Sequence, residues 1–279
     1  MVAQAATVRT PAQLHVRRRT LLVNVLRIGI AVVILGGWEL GARIELIDSF
    51  FFGKPSGIFL QILTWITDGT SRGPLWRMIL VTMEETLLGF FIGAAGGIVL
   101  GVMLGRNRLL ADIFGPYIQI ANSIPRVVLG SIFIISLGLG LASKVALATV
   151  LVFFSVFANA FQGVREVDHN LVANARILGA NPAQLFREVI LPSALTWIIA
   201  SLHISFGFAL VGAVVGEFLG SLEGIGTLIA TAQGAFNANG VFAAMIILAV
   251  LALVADWLIT GLEHRLIVWR PNIASSQGL

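Results

Sequence analysis

Long apolar runs recur along this chain, separated by short polar breaks. A helix crossing a ~30 Å hydrocarbon core needs about 20 predominantly apolar residues. Six stretches fit that length: 21–40, 86–105, 109–137, 144–162, 193–218 and 241–260. The pattern predicts an all-α polytopic membrane protein with six transmembrane helices. The second run carries Gly89, Gly93, Gly97, Gly101 and Gly105, one glycine every four residues. Small residues at this spacing let a neighbouring helix come close, along a slanted ridge. The third run contains Ile124-Pro125-Arg126, and the backbone hydrogen bond lost at Pro125 predicts a kink.

The breaks carry their own signals. Phe50 to Ser56 reads as a turn, Ile58 to Ile66 as a short amphipathic helix at the outer interface, and Thr70 to Pro74 as a loop. Glu217 to Gly226 reads as a Gly-rich outer turn, followed by a short surface helix from Ile225 to Phe236. The long interior break, 164–192, is different. It is dense in charge (Arg165, Glu166, Asp168, Arg176, Arg187, Glu188), yet Leu171, Ala175, Leu178, Leu185, Phe186 and Val189 keep a helical rhythm. Gly179 can end a helix in the left-handed conformation, Asn181 is a good N-cap, and Pro182 suits a first helical position. This predicts helix, turn, helix: an amphipathic bracket between two membrane spans, with Pro192 opening the next one.

Composition agrees with the pattern. The 279 residues are 57% hydrophobic and 11% charged, with a mean hydropathy of +0.94. Soluble domains carry about 25% charged residues. The net charge of +4 comes from arginine, since Lys54 and Lys144 are the lysines present. It marks membrane topology and not nucleic-acid binding. Arg17, Arg18 and Arg19 precede the first run, which is too long for a signal sequence and reads as a retained span. Six spans put both termini in the cytoplasm. Arg106, Arg108, Arg165, Arg176, Arg187, Arg265 and Arg270 then fall inside, as the positive-inside rule requires. The expected organisation is a basic cytoplasmic tail over 1–20, a first span with an outer amphipathic segment over 21–81, a main transmembrane domain over 82–266 that includes the cytoplasmic loop 164–192, and a cytoplasmic tail over 267–279.

The sequence contains no cysteine, and His15, His169, His203 and His264 are too scattered for a metal site. No cofactor is implied. A phosphate-binding Gly-x4-Gly-Lys-Ser/Thr loop is missing: Pro55 follows Gly53-Lys54, and position 48 is Asp. Ionisable and polar groups inside spans are functional candidates by default. His203, Asn122, Ser123, Ser155, Asn159 and Glu217 are candidates for lining a passage, with hydrogen-bonded packing as the alternative for each. Asp256 reads as a structural partner.

The bracket carries a family resemblance. It resembles the cytoplasmic Glu-Ala-Ala loop of bacterial ABC-importer permeases, with Ala173-Asn174-Ala175, Gly179 and Val189-Ile190-Leu191-Pro192 at the same spacing. Ala173 replaces the first Glu of that pattern, and Asn174 its middle Ala. Further similar residues run from about Thr82 to Trp269. They include Gly89-Phe90, Gly138-Leu139-Gly140, Ser143-Lys144, Gly216-Glu217-Phe218 and Gly224-Ile225-Gly226. The series looks most like the sulfonate, taurine and nitrate subfamily. It departs from that subfamily at Glu85, where Arg is common, and at His203, where Gly-Leu-Arg is common and this chain reads Ser201-Leu202-His203.

The resemblance implies a MetI-like five-helix core plus an extra N-terminal helix, in the bacterial inner membrane. It implies no enzyme activity of the chain's own. It also implies three partners: a dimer of ABC ATPase subunits, a periplasmic or lipid-anchored substrate-binding protein, and a second permease copy. The coupling residues it points to are Ala173, Ala175, Arg176, Gly179, Ala180, Leu185, Phe186, Leu191 and Pro192. A secondary transporter driven by protons or sodium, with Glu217, Asp256 and His203 as relay groups, is the alternative. A membrane enzyme is a third reading, and it lacks a cluster of catalytic groups at one depth.

Overall fold

The computed structural model describes the backbone of residues 11–266 and the side chains of Arg19 and residues 21–261. The expected tail 267–279 lies outside the described residues, as do residues 1–10. Helix α1 (Pro11–Arg43) begins inside the segment read as a basic tail. Proline suits a first helical position, and arginine is a good helix former, so the helix extends N-terminally beyond the span, which begins at Leu21. A one-turn α2 (Ser49–Phe52) and the amphipathic α3 (Pro55–Thr67) follow. The spans α4 (Leu75–Arg106), α7 (Leu141–Arg165) and α12 (Ala238–Leu266) are each longer than their apolar runs. No strand occurs among the described residues.

Among the described residues five helices are long and apolar enough to cross a membrane, and a bent pair makes up to six. That pair is α5 (Arg108–Ser123) and α6 (Arg126–Leu137), bent by 86°. The expected kink is therefore a break. Ile124 sits at ψ 128° and Pro125 at ψ 111°, so two successive residues are extended. The residue before proline is disfavoured in the helical region, which ends α5 one residue early. Arg126 Nη2 donates to Asn122 Oδ1 across the gap, at 2.6 Å.

Helix α7 forms the centre. Leu147, Ala148, Val152, Val156 and Ala160 are fully buried along it. The glycine ridge of α4 lies directly on its backbone. A Cβ added at Gly97 would stand 2.9 Å from both Phe153 O and Phe157 N, and one at Gly101 would stand 2.8 Å from Phe157 O. On the other side, a Cβ at Gly212 would meet Ala148 Cα at 2.6 Å. Gly212 belongs to α10 (Leu191–Leu219), so α7 is gripped between two helices whose small residues permit close contact.

The ends of these helices remote from the segment 164–192 meet at a buried polar knot. Glu217 of α10 is 1% exposed, and its carboxylate accepts from Thr82 Oγ1 at 2.6 Å and from Gly226 N at 2.6 Å. Thr82 Oγ1 also accepts from Ile225 N, at 2.9 Å. Lys144 is fully buried beside Gly216, with its Nζ donating to the carbonyls of Leu139 and Gly140. The knot pulls the outer turn inward, so that α11 (Ile225–Gly234) starts against α4. Gly224 has φ +107°, and a Cβ there would lie 2.1 Å from Glu217 Oε1, so this corner admits only glycine. Above the knot, Ile58, Trp65, Leu75, Met78, Ile225, Leu228, Ala243 and Ala244 form an apolar cluster joining α3, α4, α11 and α12. Helix α1 docks on this cluster by Trp38, edge-on to Phe242 at 5.4 Å, and by Glu39, which accepts from Ser56 N at 2.9 Å. Its long apolar face buries nothing within the chain.

Two stability outcomes follow, both read as Tm in detergent. Gly97→Val overpacks the α4–α7 contact, an error costing about 1–3 kcal/mol. It should lower Tm by roughly 2–10 °C, whereas Gly29→Val, with nothing within 4 Å, should leave it unchanged. Glu217→Leu strands the buried Gly226 N–H, at about 1–3 kcal/mol for an unsatisfied group, and leaves the Thr82 hydroxyl only Met78 O as acceptor. Glu217→Gln keeps one acceptor and should retain more of the parent Tm.

Candidate coupling segment and intramembrane polar groups

Helix α7 ends at Arg165, and Asp168 restarts the chain by accepting from Asn170 N at 2.8 Å. Helix α8 (His169–Ile177) then runs only to Gly179. There Ala180 N donates to Ala175 O and Gly179 N to Arg176 O, both at 3.0 Å, with Gly179 at φ +85°. This is a left-handed C-terminal cap, which satisfies carbonyls the helix end would leave free. The next helix starts just beyond it. Asn181 Oδ1 accepts from Gln184 N at 2.8 Å, and Gln184 Oε1 accepts from Asn181 N at 3.0 Å, with Pro182 first in the helix. Reciprocal bonds of this kind fix a helix start.

The second arm differs from the expected bracket. Instead of a separate helix ended by Pro192, a single helical path runs from Pro182 to Leu219. It comprises α9 (Pro182–Gln184), a π-helical stretch (Leu185–Ile190) and α10. Leu191 N donates to Phe186 O, five residues back. Proline clashes with the carbonyl four residues before it in an ordinary helix. The wider turn before Pro192 accommodates the ring without breaking the path.

Burial divides the sequence-named coupling residues. Ala173, Arg176 and Gly179 are exposed, whereas Ala175 and Ala180 are half-buried. Leu185 is buried, and Phe186 lies beneath the Arg106 guanidinium, 3.8 Å from ring centroid to Cζ. Leu191 is half-buried at the start of α10, and Pro192 is exposed. Ile177 and Leu178, 83% and 87% exposed, stand at the tip of α8. The helical rhythm placed Leu178 on a packed face and left Ile177 unassigned. The readable signal was two bulky apolar residues immediately before the capping glycine, in a segment otherwise rich in charge.

The passage candidates do not converge within one chain. His203 Nε2 lies 2.7 Å from Asp256 Oδ1, which joins α10 to α12. Ser205 Oγ donates to Ser155 Oγ at 2.9 Å, and Asn159 Nδ2 to Ser155 O at 2.9 Å. Asn122 lines a cavity of about 300 Å³ between α5 and α7 with Gln119 and Phe154. Ser123 Oγ donates to Gln119 O at 2.8 Å. Glu217 is enclosed by the knot, 1% exposed. Glu85, one of the departures from the resembled subfamily, is buried in the same region at 2% exposure.

Comparison with known proteins joins these observations. Residues 97–268 match the family model described as the inner membrane component of binding-protein-dependent transport systems. The putative aliphatic sulfonates transport permease protein SsuC of Bacillus subtilis is 31% identical over 240 residues, covering 86% of each chain. The riboflavin transport system permease protein RibX of Chloroflexus aurantiacus is 32% identical, covering 86% of this chain and 88% of the relative. The taurine transport system permease protein TauC of Escherichia coli is 27% identical, covering 89% and 90%. Among solved structures, an inward-facing MetNI methionine ABC transporter shares the fold. Its TM-score is 0.59 at 22% identity, over 74% of this chain and 96% of that one. The helical spans, the capped bracket and the matched region together place this chain in the family of binding-protein-dependent transport inner-membrane components, as a permease of the ABC-importer type.

Proposed function

We propose that the segment 165–191 is the surface on which a separate ATPase subunit docks, and that its movement drives α10. The observation carrying this reading is the tip of α8. Ile177 and Leu178 are held out of the protein by a cap on one side and a capping box on the other. Bulky apolar side chains held out in water in a charged segment mark a surface that gains by burial against a partner. The continuous helical path from Pro182 to Leu219 makes a lever. A push at its inner end would tilt α10 as a rigid body, the usual style of such switches. The ATPase pair would hydrolyse ATP, the termini would lie in the cytoplasm, and an external binding protein would deliver the solute. The solute would be a small one, a sulfonate, taurine, nitrate or a related organic or aromatic compound, since the relatives are named for sulfonates, taurine and riboflavin. The ion-gradient alternative is not favoured by the relatives, which are transport-system permeases.

The passage would form where two permease copies face each other, which accounts for the dispersal of polar groups within one copy. His203 and Asp256 support this placement. Their side chains are 31% and 59% exposed in an otherwise apolar belt. Ionisable groups at such depth face a bundle interior or a water-filled cavity. Ser155, Asn159, Asn122 and Ser123 would contribute further polar lining.

Leu178→Asp should weaken ATPase binding on the order of tenfold or more, as loss of an interface anchor does, while leaving the permease Tm unchanged. Pull-down from native membranes with a tagged permease reads this directly, and equal recovery of ATPase with parent and variant would refute docking at the tip. His203→Leu removes the partner of Asp256. It should cut ATP-driven solute uptake in proteoliposomes at least about tenfold, if a charge left alone in the passage costs what such groups usually do. Unchanged uptake would remove His203 from the passage.

A further inference from the structure

At the inner end of α4 the chain leaves a groove of about 700 Å³, bounded by the last turns of that helix, the first turn of α5 and the start of α10. The groove changes character along its length. Val99, Val102, Met103 and Leu191 make one end apolar, and Arg106 and Arg108 make the other cationic. No acidic side chain lines it among the described residues. Val99 and Met103 are 63% and 45% exposed, so the apolar end opens on the outside of the helix bundle and not toward its core.

The arginines are available for a ligand. Among the described residues neither Arg106 nor Arg108 forms an ion pair. Arg106 Cζ lies 3.8 Å over the Phe186 ring, and such a contact spends none of the guanidinium N–H donors on an acceptor, so they remain for a phosphate. A helix rises about 1.5 Å per residue, so Val99 lies roughly 10 Å deeper along α4 than Arg106. Cationic donors at the edge of a span, with an apolar wall beginning within ~10 Å, match the phosphate and upper acyl chain of a lipid. Basic recesses between helices at the cytoplasmic face are recognised lipid-headgroup sites.

We propose that this groove binds one anionic phospholipid, with its phosphate between Arg106 and Arg108 and an acyl chain along Val99 and Met103. A free phosphate would leave the apolar wall unused, which is why the site is assigned to a lipid. The contact bears on transport because Arg106 also braces Phe186, at the joint where the coupling segment enters α10. The inference rests on the membrane placement of α4 that comes with the family. It is independent of ATPase docking, so its test can fail or succeed separately.

The test uses the full-length permease in nanodiscs containing phosphatidylglycerol and phosphatidylcholine, with retained lipid read by native mass spectrometry. The parent should retain phosphatidylglycerol preferentially. R106Q/R108Q should lose that preference on the order of tenfold, following the attraction of two basic groups to an anionic headgroup. Val99→Trp, which fills the apolar end and keeps both arginines, should lose it too. R106K/R108K should keep much of the preference, which separates charge loss from misfolding. Soluble glycerophosphate should not displace the lipid. Equal retention by the parent and R106Q/R108Q would overturn the proposal. So would an equal loss in R165Q/R187Q, which would show a general charge effect, or displacement by glycerophosphate, which would show a phosphate site without the lipid.

Discussion

The close approach of α4 and α10 to the backbone of α7 is the contact on which the other parts of the fold depend. Lipid tails are as apolar as leucine, so burying leucine side chains gives little drive for helices to associate in a membrane. Packing and hydrogen bonding must supply it. The glycines of α4 bring two backbones into direct contact over the length of the span, from Gly89 on Ala148 to Gly105 on Val164. Gly212 does the same from the opposite side. With α7 fixed between them, the three helices can only shift together or separate.

Two ties hold the ends of this group, and they differ in kind. At the outer end the tie is polar and enclosed: Thr82, Glu217 and the Gly226 amide share short hydrogen bonds. Short hydrogen bonds in a low-dielectric interior resist rearrangement, because a partner lost there is not replaced by water. At the inner end the tie is a single exposed stack, Arg106 on Phe186, next to a stretch of wide π-helical turn. Such turns are often found at functional positions. The stiff end holds the turn between α10 and α11. The adaptable end lies where the segment 164–192 runs into α10.

Much of this was legible in the sequence. The number of spans follows from runs of about 20 apolar residues, since the bilayer allows no other way to satisfy the backbone. Gly179, Asn181 and Pro182 announced their caps because a left-handed glycine, a side-chain acceptor and a missing N–H are local properties of a residue. The i+4 glycines announced a close helix contact for the same reason.

What the tertiary structure decided were relations between distant residues. Sequence could not pair His203 with Asp256, or tell that Glu217 faces Thr82 and the Gly226 amide, because helices that are apolar all round carry no record of which face meets which neighbour. It suggested a kink at Pro125 where two consecutive extended residues make a break of 86°. It also suggested a helix boundary at Pro192, where a wide turn lets the path continue. Proline states locally which hydrogen bond is lost. Whether the chain then bends, breaks or runs on depends on the neighbours available to satisfy what is left.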